Sequence, residues 1–209
     1  MLSGMLALTV ASAIREAISD GDFQPGQQLS EIKISQRFEC SRNTLREAFA
    51  MLHSEGLVER IKNRGVFIAT PNADYVRDLY RARAAIEPSA VRWGEGIDSK
   101  ALVELTRSAI AARDAGDAAE VSAINQRFHR ALVAAIGSPT LDKTMGNLLA
   151  QMRLTFLLVL PEYPRIHDDH VDVNARVARL IDEGDREEAA TLIRDSLLRT
   201  CRAILHYLP

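Results

Sequence analysis

The sequence predicts a mostly α-helical protein: an N-terminal winged helix-turn-helix with a small β-hairpin wing, followed by an all-α antiparallel helical bundle. Three observations carry that prediction. Residues 41–55 join a serine cap to an apolar stripe at helical spacing, two β-prone runs then flank a basic tip, and beyond Pro71 the apolar pattern is helical to the end. Pro71-Asn72-Ala73 reads as the boundary between two domains, 1–71 and 72–209.

In chain order, Leu6, Val10, Ile14 and Ile18 mark a first amphipathic helix, stopped by the Gly21–Gly26 segment with its Pro25-Gly26 turn. Ser30 caps a short second helix carrying Ile34 and Phe38 inward, and Glu39-Cys40-Ser41 turns the chain into a third. There Ser41 is the cap, Leu45, Ala48, Phe49 and Leu52 form the inward stripe, and Gly56 ends the helix. Val58–Ile61 and Val66–Ala69 form a hairpin around Lys62-Asn63-Arg64-Gly65. In the second domain, turns at 94–99, 115–117, 137–139, 160–164 and 183–185 leave about six helices, and short turns between long helices favour antiparallel packing.

The third helix has the design of one that enters a DNA groove. Arg42, Asn43, Thr44 and Arg46 lie near its N-terminal end, where base edges and phosphates are met, with Ser41 at its start, Arg37 just before it, and Lys62, Asn63, Arg64 and Gly65 on the wing. Residues 1–70 hold eight Lys and Arg against eight Asp and Glu, so a positive face arises only by segregation. The formal net charge of -2 excludes a protein that coats nucleic acid generally. Two cysteines, Cys40 and Cys201, make no disulfide framework and fit a reducing compartment, and no apolar run spans a membrane, so the expected location is cytoplasmic.

In the helical domain, polar residues interrupt apolar stripes. Asn125 and His129 share one face of the helix over 118–136, Asn174 sits on the stripe of the next-to-last helix, and Ser196 on that of the last. A buried polar group without a partner costs about 1–3 kcal/mol, so these groups are expected to meet one another, water or a ligand. Each is alternatively satisfied locally. No nucleophile elbow, Gly-rich phosphate loop, HExxH or paired-carboxylate motif accompanies His129, which argues against an enzyme of the helical-bundle type.

The stretches GDFQPGQQLSE, ISQRFECSRNTLREAF and EGLVERIKNRGVFI resemble the GntR superfamily of bacterial transcription regulators. RDLYRARAAIEPSAV, NQRFHRALVAAIGSPTL and IDEGDREEAATLIRDSL resemble the all-helical FCD effector domain of its FadR-like branch. The resemblance implies a homodimer on a pseudo-palindromic double-stranded operator, with no membrane partner, and a small-molecule effector that is commonly a carboxylate or acyl compound. At a position where the family often has a DNA-touching arginine this chain has Ile32, beside Lys33. The resemblance also implies a divalent metal held by an Asp or Asn, by a His four residues on, and by two further histidines. Asn125 and His129 match the first pair, but the two histidine positions are Asn174 and Ser196, which are weak donors for zinc or nickel. His170, one turn before Asn174, is the displaced ligand a metal-dependent sensor would use. The favoured expectation is a metal-free pocket in which Asn125, His129, Asn174 and Ser196 bind the effector, with Arg83 or Arg153 facing its carboxylate. Either arginine could equally form an ion pair of the protein.

Overall fold

The computed structural model describes residues 2–208; Met1 and Pro209, at the outer ends of the two domains read from the sequence, lie outside the described residues. The chain divides into two compact units, Met1–Pro71 with Leu149–Leu158, and Asn72–Leu148 with Val159–Pro209. The first unit contains α1 (Leu2–Asp20), β1 (Gln28–Leu29), α2 (Glu31–Arg37), α3 (Arg42–Ser54), β2 (Val58–Ile61) and β3 (Gly65–Ile68). The second domain is therefore not continuous from 72 to 209 as the sequence suggested. Ala150 and Leu154, from the helix α7 (Pro139–Val159), are buried in the core of the first unit with Ile14, Ile18, Phe49 and Leu52.

The winged helix-turn-helix forms for the reasons the sequence contains. Ser41 Oγ accepts from the Thr44 amide at 3.1 Å and Ser30 Oγ caps α2, while Leu45, Ala48, Phe49 and Leu52 are all buried. Gly56 follows the helix with φ 70°, which only glycine adopts without strain. Asn63 takes φ 61° at the tip of the hairpin, a left-handed conformation asparagine tolerates better than most residues, with Ile61 opposite Gly65 and Val58 opposite Ile68. The sheet has one strand more than the hairpin: Gln28 and Leu29 pair antiparallel with Phe67 and Val66, giving the order β1-β3-β2. Two residues are too few for any alternation to show in the sequence.

Ser41→Ala is expected to lower stability by about 1 kcal/mol, because it removes the cap of α3 and the 2.8 Å bond between the Ser41 and Thr44 hydroxyls. Urea unfolding of the two proteins checks it, and an unchanged midpoint would mean that water replaces the cap without loss.

The helical unit holds α4 (Ala73–Trp93), α5 (Ser99–Asp114), α6 (Ala118–Ala134), the first part of α7, α8 (Val171–Asp182) and α9 (Arg186–Tyr207). α4 packs on α9 and α6, and α5 on α6 and α8. Asn72, Asp98, Asp117 and Asp185 cap α4, α5, α6 and α9, each accepting from a backbone N–H three residues on. α4 carries Pro88 in its interior, directly after Glu87. Among the described residues no helix is long and apolar enough to cross a membrane.

Candidate nucleic-acid interface and buried polar site

On the first unit, Arg42, Asn43 and Arg46 stand exposed on α3 while the opposite side of the helix is buried, and Lys62, Asn63, Arg64 and Gly65 stand exposed on the hairpin. Gln28 Nε2 donates to the Arg64 carbonyl at 2.8 Å, and the Arg64 guanidinium lies over Phe67, so the wing tip is braced from β1 and from its own strand. Arg60 on β2 donates to the Arg46 carbonyl at 3.1 Å and ties the wing to α3. A cleft between them is lined by Glu31, Arg46, Phe49, Arg60, Asn63 and Gly65. Neither Glu31 nor Arg60 stands out in the sequence, because each is one charge among many and its position depends on the packing of α2 and β2 against α3.

Two sequence candidates sit differently from expectation. Thr44 is only 5% exposed, with its hydroxyl on Ser41, so it serves the cap and is not presented outward as read from the sequence. Arg37 pairs with Asp22 and lies over the rings of Phe23 and Phe38, 5.2 Å from each centroid, which makes it a brace of α2. Ser41 remains at the exposed start of α3, but its oxygen is engaged in capping.

The helical unit gathers a buried ionic cluster. Arg83 and Glu87 lie one turn apart on α4, 1% and 0% exposed, with Arg83 Nε donating to Glu87 Oε1 at 2.6 Å. The other Glu87 oxygen is 2.6 Å from Nδ1 of the buried His129 on α6. Burial pushes the Glu87 carboxyl up, but the Arg83 charge, then His129 and the hydrogen bonds from both, outweigh it and hold the group at about 2. An ionised carboxylate only accepts, so His129 Nδ1 carries the proton and its Nε2 presents a lone pair. Burial pushes the His129 imidazole below its ordinary 6.5 against the pull of Glu87, so the ring is neutral at pH 7.

Beside this cluster, Asn174 Nδ2 donates to Asn125 Oδ1 at 2.8 Å, joining α8 to α6. These two amides, with Thr106, Phe128 and His167, line a cavity with about 10 Å³ of room, enough for about one water. His170, just before α8, is pushed down to about 3 by burial, with His129, Arg83 and His167 adding to the shift. Among the described residues no three His, Cys, Asp or Glu side chains are gathered to hold a metal, and the oxygen of Asn125 is engaged by Asn174, so the donor set does not fit the ion implied by the sequence resemblance.

The structure thus brings together Arg83, Asn125, His129, Asn174 and His170, and it places Arg153 in the other unit. Ser196 is half-buried, since Leu197 takes the inward place on α9 between Ile193 and Thr200. Arg153 belongs to the first unit, where its guanidinium lies against Gly21, φ 88°, close enough that any β-carbon there would collide with it. Arg83 is not an open cation but half of an internal ion pair. Sequence reasoning missed Glu87, although it falls four residues after Arg83 on the inward stripe of α4.

Residues 6–68 match the family described as bacterial regulatory proteins, gntR family, and residues 78–199 match the FCD domain. The chain is 26% identical over 159 residues to the Nta operon transcriptional regulator of Aminobacter aminovorans, covering 75% of this chain and 76% of that protein. It is 28% identical over 200 residues to the HTH-type transcriptional repressor GlaR of Escherichia coli K12, covering 88% and 89%. A crystal structure of a transcriptional regulator GntR from Rhodococcus sp. RHA1 superposes with a TM-score of 0.82 at 30% identity, covering 97% of this chain and 99% of that one.

Proposed function

Because the chain belongs to the gntR family of bacterial regulatory proteins, with an FCD domain over its helical unit, and is thereby a DNA-binding transcriptional regulator, we propose that it acts as a cytoplasmic homodimer. Its hold on a pseudo-palindromic operator is changed by a small effector of carboxylate type bound without a metal. Two-fold pairing presents two α3 helices to two half-sites, and operator occupancy by the dimer represses, as the name of the relative GlaR states for that protein. The observation that carries the DNA-reading part is the exposed N-terminal face of α3, framed by the wing.

The effector part is supported by the polar site around His129. The Nε2 lone pair and the two amides are groups that orient a small polar molecule. The cavity is far too small for one as it stands, so an effector must favour a more open packing of α5, α6 and α8. That difference in affinity between two states is what linkage to operator binding requires. A carboxylate entering here finds Arg83 already engaged by Glu87. Its charge is balanced by protonation of His129 or His170, both held neutral at pH 7 by burial.

The test is fluorescence anisotropy of the upstream intergenic duplex over a salt series with unrelated duplex as competitor, repeated with small carboxylates. Binding that resists competitor and is altered by a carboxylate is the expected result; binding lost to competitor at every salt would sink the reading. Carboxylate affinity is expected to rise as pH falls from about 8 to 6, with proton uptake visible by calorimetry in buffers of different ionisation heat. A pH-independent affinity would remove the carboxylate, and stoichiometric metal retained after dialysis would remove the metal-free site.

A further inference from the structure

The proposed interface contains a carboxylate, and it is engaged with Arg46. Arg46 Nε donates to Glu31 Oε1 and Arg46 Nη2 to Glu31 Oε2, both at 3.0 Å, so an acid from α2 grips the arginine of α3 side-on. Glu31 stays ionised, its carboxyl held below the ordinary value of 4.5 first by the hydrogen bond from Arg46, with the charges of Arg46, Arg42 and Arg60 adding to this. Affinity for duplex DNA in general comes from cations neutralising phosphates, so a negative charge among three arginines works against it. As a brace of α2 on α3 it would be an odd choice for that surface.

The donor inventory suggests another role. A guanidinium carries five N–H groups, and the grip of Glu31 engages two of them, one on Nε and one on Nη2. What remains is the Nη1–Nη2 end, the pair with which arginine addresses O6 and N7 of guanine. An arginine without such a grip is free to swing to the nearest phosphate, a contact that positions but does not specify. We propose that Glu31 is a positioning residue that holds Arg46 end-on for base reading and keeps it from phosphate, so that weaker binding to any duplex accompanies sharper discrimination between duplexes. This rests on α3 being the helix that reads DNA.

The experiment uses the full chain. Duplexes enriched by the parent protein from a random-sequence pool supply a specific probe, and a shuffled duplex of the same composition supplies the non-specific one. Both are titrated by anisotropy against the parent, Glu31→Gln, Arg46→Ala and the double variant at matched salt. Loss of the negative charge alone tightens both probes together, so the ratio of the two affinities is the readout. Glu31→Gln is expected to bind the shuffled duplex several-fold tighter and to lose about tenfold in the ratio, while in the Arg46→Ala background the same change leaves the ratio where it was. A brace would instead lower the melting temperature and keep the ratio, and that outcome overturns the inference while DNA recognition stands. If the parent enriches no sequence at all, the DNA-reading role of α3 falls and the inference with it.

Discussion

Replacing Glu87 by alanine is expected to destabilise the helical unit by about 3–5 kcal/mol, the usual loss when one partner of a buried ion pair is removed. The mechanism is specific. Glu87 is fully buried and its two oxygens receive Arg83 Nε and His129 Nδ1, each at 2.6 Å. Without it the Arg83 guanidinium stays in the interior with its counter-charge gone, and His129 loses the acceptor that fixes its tautomer. Replacing both charges by apolar residues of similar volume, Arg83→Met with Glu87→Leu, is expected to recover most of the loss, since what harms is the uncompensated charge. Urea unfolding of the three proteins measures this, and a Glu87→Ala variant within about 1 kcal/mol of the parent would mean that water reaches the cluster.

The same cluster makes stability fall on the acid side. His129 and His170 are held below their ordinary 6.5 and Glu87 below its ordinary 4.5, so in each case the unfolded chain binds the proton first. Their contributions are fully present above the unfolded values and are lost as pH drops: those of the histidines from about 6.5 downward, that of Glu87 between its ordinary value and about 2. The urea midpoint should therefore decline between about pH 7.5 and 5, and changing both histidines to glutamine should flatten the decline.

Arg46→Ala is expected to weaken binding to an enriched duplex by roughly 5- to 100-fold while changing non-specific binding far less. The side chain is exposed at the N-terminal part of α3, and its backbone carbonyl anchors Arg60 of the wing, a bond the substitution leaves in place. The loss is thus one of recognition and not of local architecture. Lys62→Ala, at the wing tip, is expected to behave in the opposite way, weakening all duplexes alike and reducing the salt slope by about one. If Arg46→Ala and Lys62→Ala shifted both probes equally, α3 would be a backbone-binding helix only.

The DNA-binding unit was largely legible in the sequence because its signals are local. A serine cap, an apolar stripe and a turn residue act within a few positions of one another, and Ser41, Leu45, Phe49 and Gly56 all do in the structure what their types predict. What the sequence did not show there came from tertiary packing: Thr44 is turned inward by the cap, Arg37 stays exposed but is engaged by Asp22 and lies over the Phe23 and Phe38 rings, and β1 is too short to announce itself. In the helical unit the stripe logic located Asn125, His129 and Asn174 but lost phase on α9, where Ser196 and Leu197 compete for one inward place and the apolar residue wins it. Glu87 escaped for a different reason. A glutamate four residues after an arginine on a helix reads as an ordinary surface ion pair, whereas on α4 both side chains face the interior. Arg153 could not have been placed from spacing at all, since nothing in the repeat of α7 marks where residues 149–158 join the other unit.

On the proposed reading that an effector enters there, the one-water cavity between Asn125, Asn174 and His167 has a kinetic consequence. A ligand admitted only when the helices part associates no faster than the fraction of time they are apart allows, and its apparent dissociation constant is raised by the inverse of that fraction. A regulator built this way responds to sustained concentrations and filters out brief ones, with the time constant set by helix packing and not by the chemistry of the bound molecule.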